Sequence, residues 1–387
     1  MSLNPGQQLI AWRRELHQFP ELSGQEFATT ERIEGWLRSA GIAPQPYGLS
    51  TGVVAEIGQG DALIALRADI DALPIEESAP VEFRSRNSGV MHACGHDVHT
   101  SVMLGAALLL KAREKSLPGR IRLLFQPAEE RFGGAKTLID AGALEGVSAI
   151  FGMHNAPELP VGTFATRGGP FYANVDRFDV VVTGKGAHAA RPQEGIDAIV
   201  IASQIVSALQ TLVSRSYSPL ESVVVSVTRI EGGNTWNVLP QTVVLEGTVR
   251  THNDVVRATL PQRFAQLING IAGGFGATAT LNWHPGPPAL VNTERWAEFS
   301  KKIAAEAGYD VRHADLQMGG EDFAFYLHNT PGTFVSIGSA SKLGLHHPGF
   351  EPDESLIEPA ARYFSQLAEA ALREIRQPRQ TAFTGKF

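Results

Sequence analysis

A single cysteine, Cys94, stands in 387 residues. It can close no intrachain disulfide and cannot supply a four-thiolate structural zinc site, so a stapled secreted scaffold and a zinc finger are both excluded. A reducing, cytoplasmic compartment is the simplest expectation. No apolar run of about 18 residues, the length of a membrane-spanning helix, is read from the sequence, and the amino terminus MSLNPGQQLIAWRREL lacks the charged-then-apolar order of an export signal. Neither membrane insertion nor export is therefore expected. Blocks of like charge are missing as well: 33 basic and 40 acidic side chains are scattered for a net charge of −7. That balance argues against a polyanion-binding surface, so nucleic acid is not an expected partner. Internal repeats and low-complexity segments are also absent.

Length and apolar content set the next expectation. A chain of 387 residues exceeds one ordinary core, and a hydrophobic content of 43% suffices for two domains. Four places share one local pattern, in which an apolar β-like run stops and polar, metal-binding residue types follow: ALIALRADID (62–71), IRLLFQPAEE (121–130), SAIFGMHN (148–155) and TFVSIGSASKLGLHH (333–347). Runs apolar on both faces, separated by helical segments such as GAALLLKAREK (105–115) and GGAKTLIDAG (133–142), read as buried, mostly parallel strands of an α/β layer. Gly142 is the expected C-terminal cap of the second helix. In such sheets ligands bind beyond the carboxyl ends of the strands, so the pattern predicts one shared site.

The middle of the chain changes character. Between about Val175 and Pro287 come β-like DRFDVVVTGKG, a helical stretch GIDAIVIASQIVSALQTLVS, β-like SVVVSVTRIEGG and VVLEGTVR, a second helix around VVRATLPQRFAQLINGIAGG, and a strand ATATLNWHP. This is a self-sufficient α+β unit inserted into the α/β domain. The expected organisation is residues 1–174 and 288–387 as the metal-binding domain and 175–287 as a satellite. The tail RQPRQTAFTGKF is expected to be loose.

The polar residues at the strand ends carry the chemistry. Cys94 and His96 are two apart, at a loop or helix entry, where they can reach neighbouring coordination positions, and a thiolate has lone pairs enough to bridge two ions. A buried free cysteine is the ordinary alternative, against which the flanking pattern HxCGHDxxH weighs. Adjacent Glu129 and Glu130 after a buried strand would repel unless something positive lies beside them, and a metal would let one ligate while the other acts as a base on water. An acidic helix start at the surface is the alternative. His154, His346 and His347 are each ligand or satisfied imidazole. Asp69 and Asp71 are ligands or carboxylates that orient an imidazole. His92 and His99 fit neither role uniquely and stay outside the ligand set.

RADIDALP, MHACGHDVHT, QPAEE, GMHN, GKGAHAARPQEGIDA, GGNTWNVLP, GTVRT, GGEDF and LHHPGF, in this order, resemble the M20 metallopeptidase family. More narrowly they resemble its amidohydrolase branch of hippurate hydrolases, indole-acetyl-amino-acid hydrolases and bacterial N-acyl-amino-acid deacylases. GTVRT alone is weak; nine segments in order across nearly the whole chain are specific. The resemblance implies a catalytic α/β domain with two divalent metal ions (zinc, manganese, nickel or cobalt) and a satellite that acts as lid and dimerisation domain, hence a homodimer. It implies Cys94 as the bridging ligand, Glu130 and His346 completing one metal, His96 and His154 the other, Asp71 behind them, and Glu129 as general base. In the satellite it implies His188 as oxyanion donor and Asn237 and Arg250 as substrate-binding residues. Phe171, Tyr172 and Phe323 are candidates for the acyl pocket. The expected reaction is hydrolysis of an N-acyl amino acid, a small-molecule substrate, to a carboxylate and a free amino acid. A dipeptidase or carboxypeptidase of the same superfamily, or a noncatalytic binding protein that retains metals, are the alternatives.

Overall fold

The computed structural model describes residues 5–376, so residues 377–387 of the tail expected to be loose lie outside the described residues. The chain divides into two compact units. One comprises the described residues within Met1–Gly169, Val291–Asp315 and Phe325–Phe387; the other comprises Pro170–Leu290 with Leu316–Ala324.

The first unit is built on a seven-stranded sheet: β1 (Val53–Gly58), β2 (Leu63–Asp69), β3 (Arg120–Gln126), β4 (Ile150–Ala156), β5 (Thr163–Thr166), β6 (Asp310–His313) and β7 (Gly332–Gly338), in the spatial order β1-β3-β2-β4-β7-β5-β6. The central β3, β2, β4 and β7 run parallel, whereas β1 and β5 join them antiparallel and β6 follows β5. The fold is thus a mixed sheet with a parallel centre. LIALRAD and IFGMHNA are buried along their whole length, as strands covered by helices on both faces must be. Leu9, Val102, Leu110, Phe364, Leu367 and Leu372 from helices pack with Ile64, Leu66, Leu123 and Phe151 from the sheet in one core.

Two local expectations meet the structure differently. Gly142, at φ +85°, follows the helix Gly134–Asp140, and the Ala143 N–H returns to Leu138 O at 2.9 Å, which is how a left-handed glycine satisfies the last carbonyls. The helix expected from residue 105 instead begins at His96 and runs to Lys111, so His96, Asp97 and His99 form its first turn. Helical periodicity is hidden there because His96, Asp97 and His99 are all buried polar residues on the faces that apolar side chains would occupy.

The second unit is a four-stranded antiparallel sheet in the order Thr278–Pro285, Asn174–Thr183, Thr242–Thr251, Val223–Gly232. Helices Ala198–Ser216 and Asp254–Gly274 cover one face, burying Ile201, Ile205, Leu209, Leu260, Phe264 and Ile268 against Phe178, Val180 and Leu245. Asp197 and Asn253 cap these helices by accepting from the second and third backbone N–H groups. Helix Ala198–Ser216 is long and apolar enough to cross a membrane by composition, but its Ile201, Ile205, Leu209 and Leu212 face belongs to this core. Residues 316–324, assigned to the first domain from sequence, join the second unit through Gln317 N–H to Phe171 O (2.8 Å) and Ala173 N–H to Gly319 O (3.0 Å).

Candidate metal centre

In the first unit the ends of the parallel strands carry Asp69 as the last residue of β2 and Asp71 after it, the turn Pro127–Phe132 after β3, His154 within β4, and the loop with His346 after β7. Helix His96–Lys111 starts above them, with Cys94 and Gly95 just before its first turn. One donor atom from each of Cys94, His96 and His154 lies within 4.8 Å of the others, and so do those of Cys94, Glu130 and His346. Cys94 belongs to both groups, and its Sγ is 3.4 Å from His154 Nε2. Glu129 forms a further group with His96 and Glu130.

Hydrogen bonds decide which histidine has a free nitrogen. His154 Nδ1 donates to the Asn155 carbonyl at 2.8 Å, so Nε2 presents its lone pair toward Cys94. His96 Nδ1 donates to the carbonyl and carboxylate of Asp71 at 2.9 and 3.1 Å, which aims Nε2 into the site. His99 shares a group with Asp69 and His96, yet its Nε2 accepts the Asn155 N–H at 2.9 Å and its Nδ1 donates to Asp69 at 2.6 Å. Both His99 nitrogens are spent, so it holds the scaffold. His92 is buried with neither nitrogen hydrogen-bonded among the described residues.

The charges fit a cation. Burial pushes the Cys94 thiol well above its usual range, reinforced by the Glu130, Glu129 and Asp69 carboxylates. Burial alone would lower His96, but Asp69, Asp71 and Glu130 hold it at about 10. Burial presses His154 down to about 3, which keeps it a neutral donor. Burial opposes ionisation of Asp69, but His96, Arg67 and His99 hold its carboxyl well below the usual carboxylate range. Buried His96 Nε2 and Glu130 Oε1 have no hydrogen-bond partner among the described residues. These are soft and borderline donors (thiolate, imidazole, carboxylate) converging with unspent lone pairs, the set that suits first-row divalent ions. A cation there would take the place of the proton on His96 and let the thiolate form.

Residues 65–370 match the sequence family described as peptidase family M20/M25/M40. The chain belongs to this family. It is an enzyme of the M20 hydrolases. It is 47% identical over 374 residues to the N-acetylcysteine deacetylase of Bacillus subtilis, covering 95% of this chain and 98% of that one. Over 380 residues it is 39% identical to an IAA-amino acid hydrolase of Arabidopsis thaliana, covering 95% and 86% of the two chains. Among solved structures it is similar to the YXEP protein of Bacillus subtilis, a dinuclear metal binding peptidase from the M20 family, with a TM-score of 0.86, 44% identity, and coverage of 95% and 99%.

For this M20 chain the remaining expected site residues lie in the second unit. His188 and Val238 are paired in a two-stranded ladder, and the Ala189 N–H donates to Asn237 O at 3.0 Å, so Asn237, in the turn just before Val238, lies beside the His188 strand. The Ala190 N–H donates to His188 Nδ1 at 3.0 Å, which places the ring proton on exposed Nε2. Arg250, near the end of its strand, is half-buried and pairs with no carboxylate among the described residues; burial lowers its pKa and nearby Asp176 opposes this. Phe171 and Phe323 are fully buried, so of the acyl-pocket candidates only Tyr172 keeps exposed surface.

Sequence reasoning passed over the supports. Arg13 Nε meets Asp97 at 2.8 Å, and His17 bridges Asp97 (2.8 Å) and Glu77 (3.0 Å), all of them buried beside the start of the His96 helix. Arg13 and His17 lie four apart on the helix face that carries Leu9, Trp12 and Leu16, and charge at such core positions was the available signal.

Proposed function

We propose that the protein hydrolyses the amide bond of N-acyl amino acids at a centre of two divalent metal ions, with Glu129 as general base. The observation that carries this reading is the double membership of Cys94, which shares one donor group with His96 and His154 and another with Glu130 and His346, while Glu129 lies beside Glu130. The N-acetylcysteine deacetylase and IAA-amino acid hydrolase relatives support an N-acyl amino acid as the small-molecule substrate.

Ions held by Cys94, His96, Glu130, His154 and His346 would supply Lewis acidity to the carbonyl and to the attacking water. The chain's own residues do the rest. Glu129 takes the proton of the water as it attacks and hands it to the leaving amine, so that a carboxylate and a free amino acid result. His188, with its proton fixed on Nε2, is suited to donate to the oxyanion. Arg250, which forms no ion pair among the described residues, is suited to a bidentate hold on the substrate carboxylate, and Asn237 is assigned to substrate on its place beside His188. Asp71 orients His96 through Nδ1.

The test is release of free amino acid from N-acetyl, N-benzoyl and indole-acetyl conjugates, with dipeptides alongside, by protein loaded with zinc or manganese. Wild type turns over conjugates, and Glu129→Ala lowers kcat by about 10²–10⁴. Turnover confined to dipeptides moves the reading to a peptidase, and binding without turnover moves it to a binding protein.

Homodimerisation through the second unit belongs to the same reading. Strand Val223–Gly232 is one of the two edges of its sheet, and the exposed face of helix Ala198–Ser216 carries Ser203, Ser207, Thr211 and Ser214 with Arg215 its one charged residue. Sedimentation should give a dimer, and Ser207→Arg should shift it toward monomer. A cytoplasmic location accords with a single cysteine that the reading uses as a ligand.

A further inference from the structure

We propose that Glu26 is a positioning residue of the hydrolytic centre, holding from behind the turn on which Glu129 and Glu130 stand. The inference rests on the proposed amide hydrolysis for its kinetic consequence, but not for its structural one. Glu26 lies in the loop between the two N-terminal helices, 103 residues before Glu129 (129 − 26), and its side chain is fully buried. Oε1 accepts the Gly24 N–H at 2.8 Å and the Ala128 N–H at 2.9 Å, and Oε2 accepts the Thr51 hydroxyl at 2.8 Å. A carboxylate placed so deep with no paired cation among the described residues is there for the donors it accepts from.

The turn it grips is one the chain would not keep unaided. Ala128 (φ +51°) and Phe132 (φ +54°) are both left-handed without being glycine, on either side of the short helix Glu129–Arg131. Asp71 Oδ2 accepts the Glu130 N–H at 3.0 Å, and Glu26 accepts the Ala128 N–H, so the amides on both sides of Glu129 end on buried carboxylates. Ser23, three residues before Glu26, donates to that same Asp71 oxygen at 2.7 Å, so one loop secures both grips. The other walls are rigid: a Cβ on Gly134 would lie 1.6 Å from Pro127 O, and one on Gly52 would lie 2.7 Å from Pro127 Cδ. Loss of the Glu26 acceptor frees the Ala128 peptide to rotate, and Glu129 rotates with it. Proton transfer depends on that geometry to within fractions of an ångström, whereas substrate affinity does not.

The experiment compares Glu26→Gln, Glu26→Asp and Glu26→Ala in the metal-loaded full-length protein. Gln keeps the Oε1 acceptor at the same reach and can donate to Thr51, so it should hold kcat within about threefold of wild type. Asp keeps the charge but is one methylene short of Ala128, and with Ala should lower kcat about 10–100-fold at unchanged KM. Amide hydrogen exchange over 127–133 supplies a readout independent of turnover: protection is retained in Gln and lost in Asp and Ala. If wild type cleaves no conjugate, the proposed reaction fails while the exchange comparison still reads the role of Glu26. The Gln and Asp pair decides the matter even where Ala does not fold. Wild-type kcat and protection in Asp overturn the proposal, as does a fall in Gln equal to that in Asp, or a change confined to KM.

Discussion

Asn155 is bonded in three directions beside the candidate metal centre. Its side-chain amide donates to Cys94 O at 2.7 Å and reaches His99 Nε2 at 3.1 Å, while its Oδ1 accepts the Ser339 hydroxyl at 3.0 Å. It thereby ties the Cys94 backbone to β4 and to the end of β7. Gly95 sits against it at φ +87°, where a Cβ would lie 2.3 Å from Asn155 Nδ2. Asn155→Ala leaves the Cys94 carbonyl and Ser339 unsatisfied in the interior and should lower stability by about 1–3 kcal/mol in urea titrations. Gly95→Ala adds backbone strain and a clash, and should reduce bound metal per chain, measured by elemental analysis of loaded protein. Retention of full metal content in Gly95→Ala would show that Cys94 tolerates displacement. Both residues stood in segments singled out from sequence, Gly95 in MHACGHDVHT. Asn155 lay in GMHN but carried no chemistry of its own to mark it.

The elements themselves were legible wherever one period dominated. LIALRAD, IFGMHNA and GTFVSIG are strands because continuous apolar runs of that length fill a two-sided core, and the helices of the second unit show a regular apolar stripe. Helix starts were less legible, as the His96 turn shows, because a buried polar cluster erases the period. In the second unit the caps are local and testable. Asp197 accepts from the Ile199 and Val200 N–H groups, and Asn253 from those of Val255 and Val256. Asp197→Ala and Asn253→Ala should each lower stability by about 1 kcal/mol, read as a lowered denaturation midpoint. Neither should alter metal content, because both caps belong to helices of the second unit and the candidate metal donors to the first.

For the whole molecule, buried histidine chemistry sets the response to acid. Burial holds His92 down to about 4 from an ordinary 6.5, and its nitrogens have no hydrogen-bond partner among the described residues. The unfolded chain therefore takes up a proton at this residue before the folded one does. Its contribution to stability is present above pH 6.5 and is lost as pH falls through about 4. Denaturation midpoints of wild type should fall over that window, and His92→Gln should flatten the slope; an unchanged slope would place the loss elsewhere. Periodicity and residue type, which are local, determined by themselves the buried strands, the helices of the middle segment and the polar residues at the strand ends. The tertiary structure alone decided that His154 keeps a free nitrogen while His99 spends both, that residues 316–324 join the second unit, and that Glu26 reaches Ala128. His154 is fixed by the carbonyl of its neighbour Asn155, but the other outcomes depend on hydrogen-bond partners far away along the chain, and no local period records which distant donor will meet which acceptor.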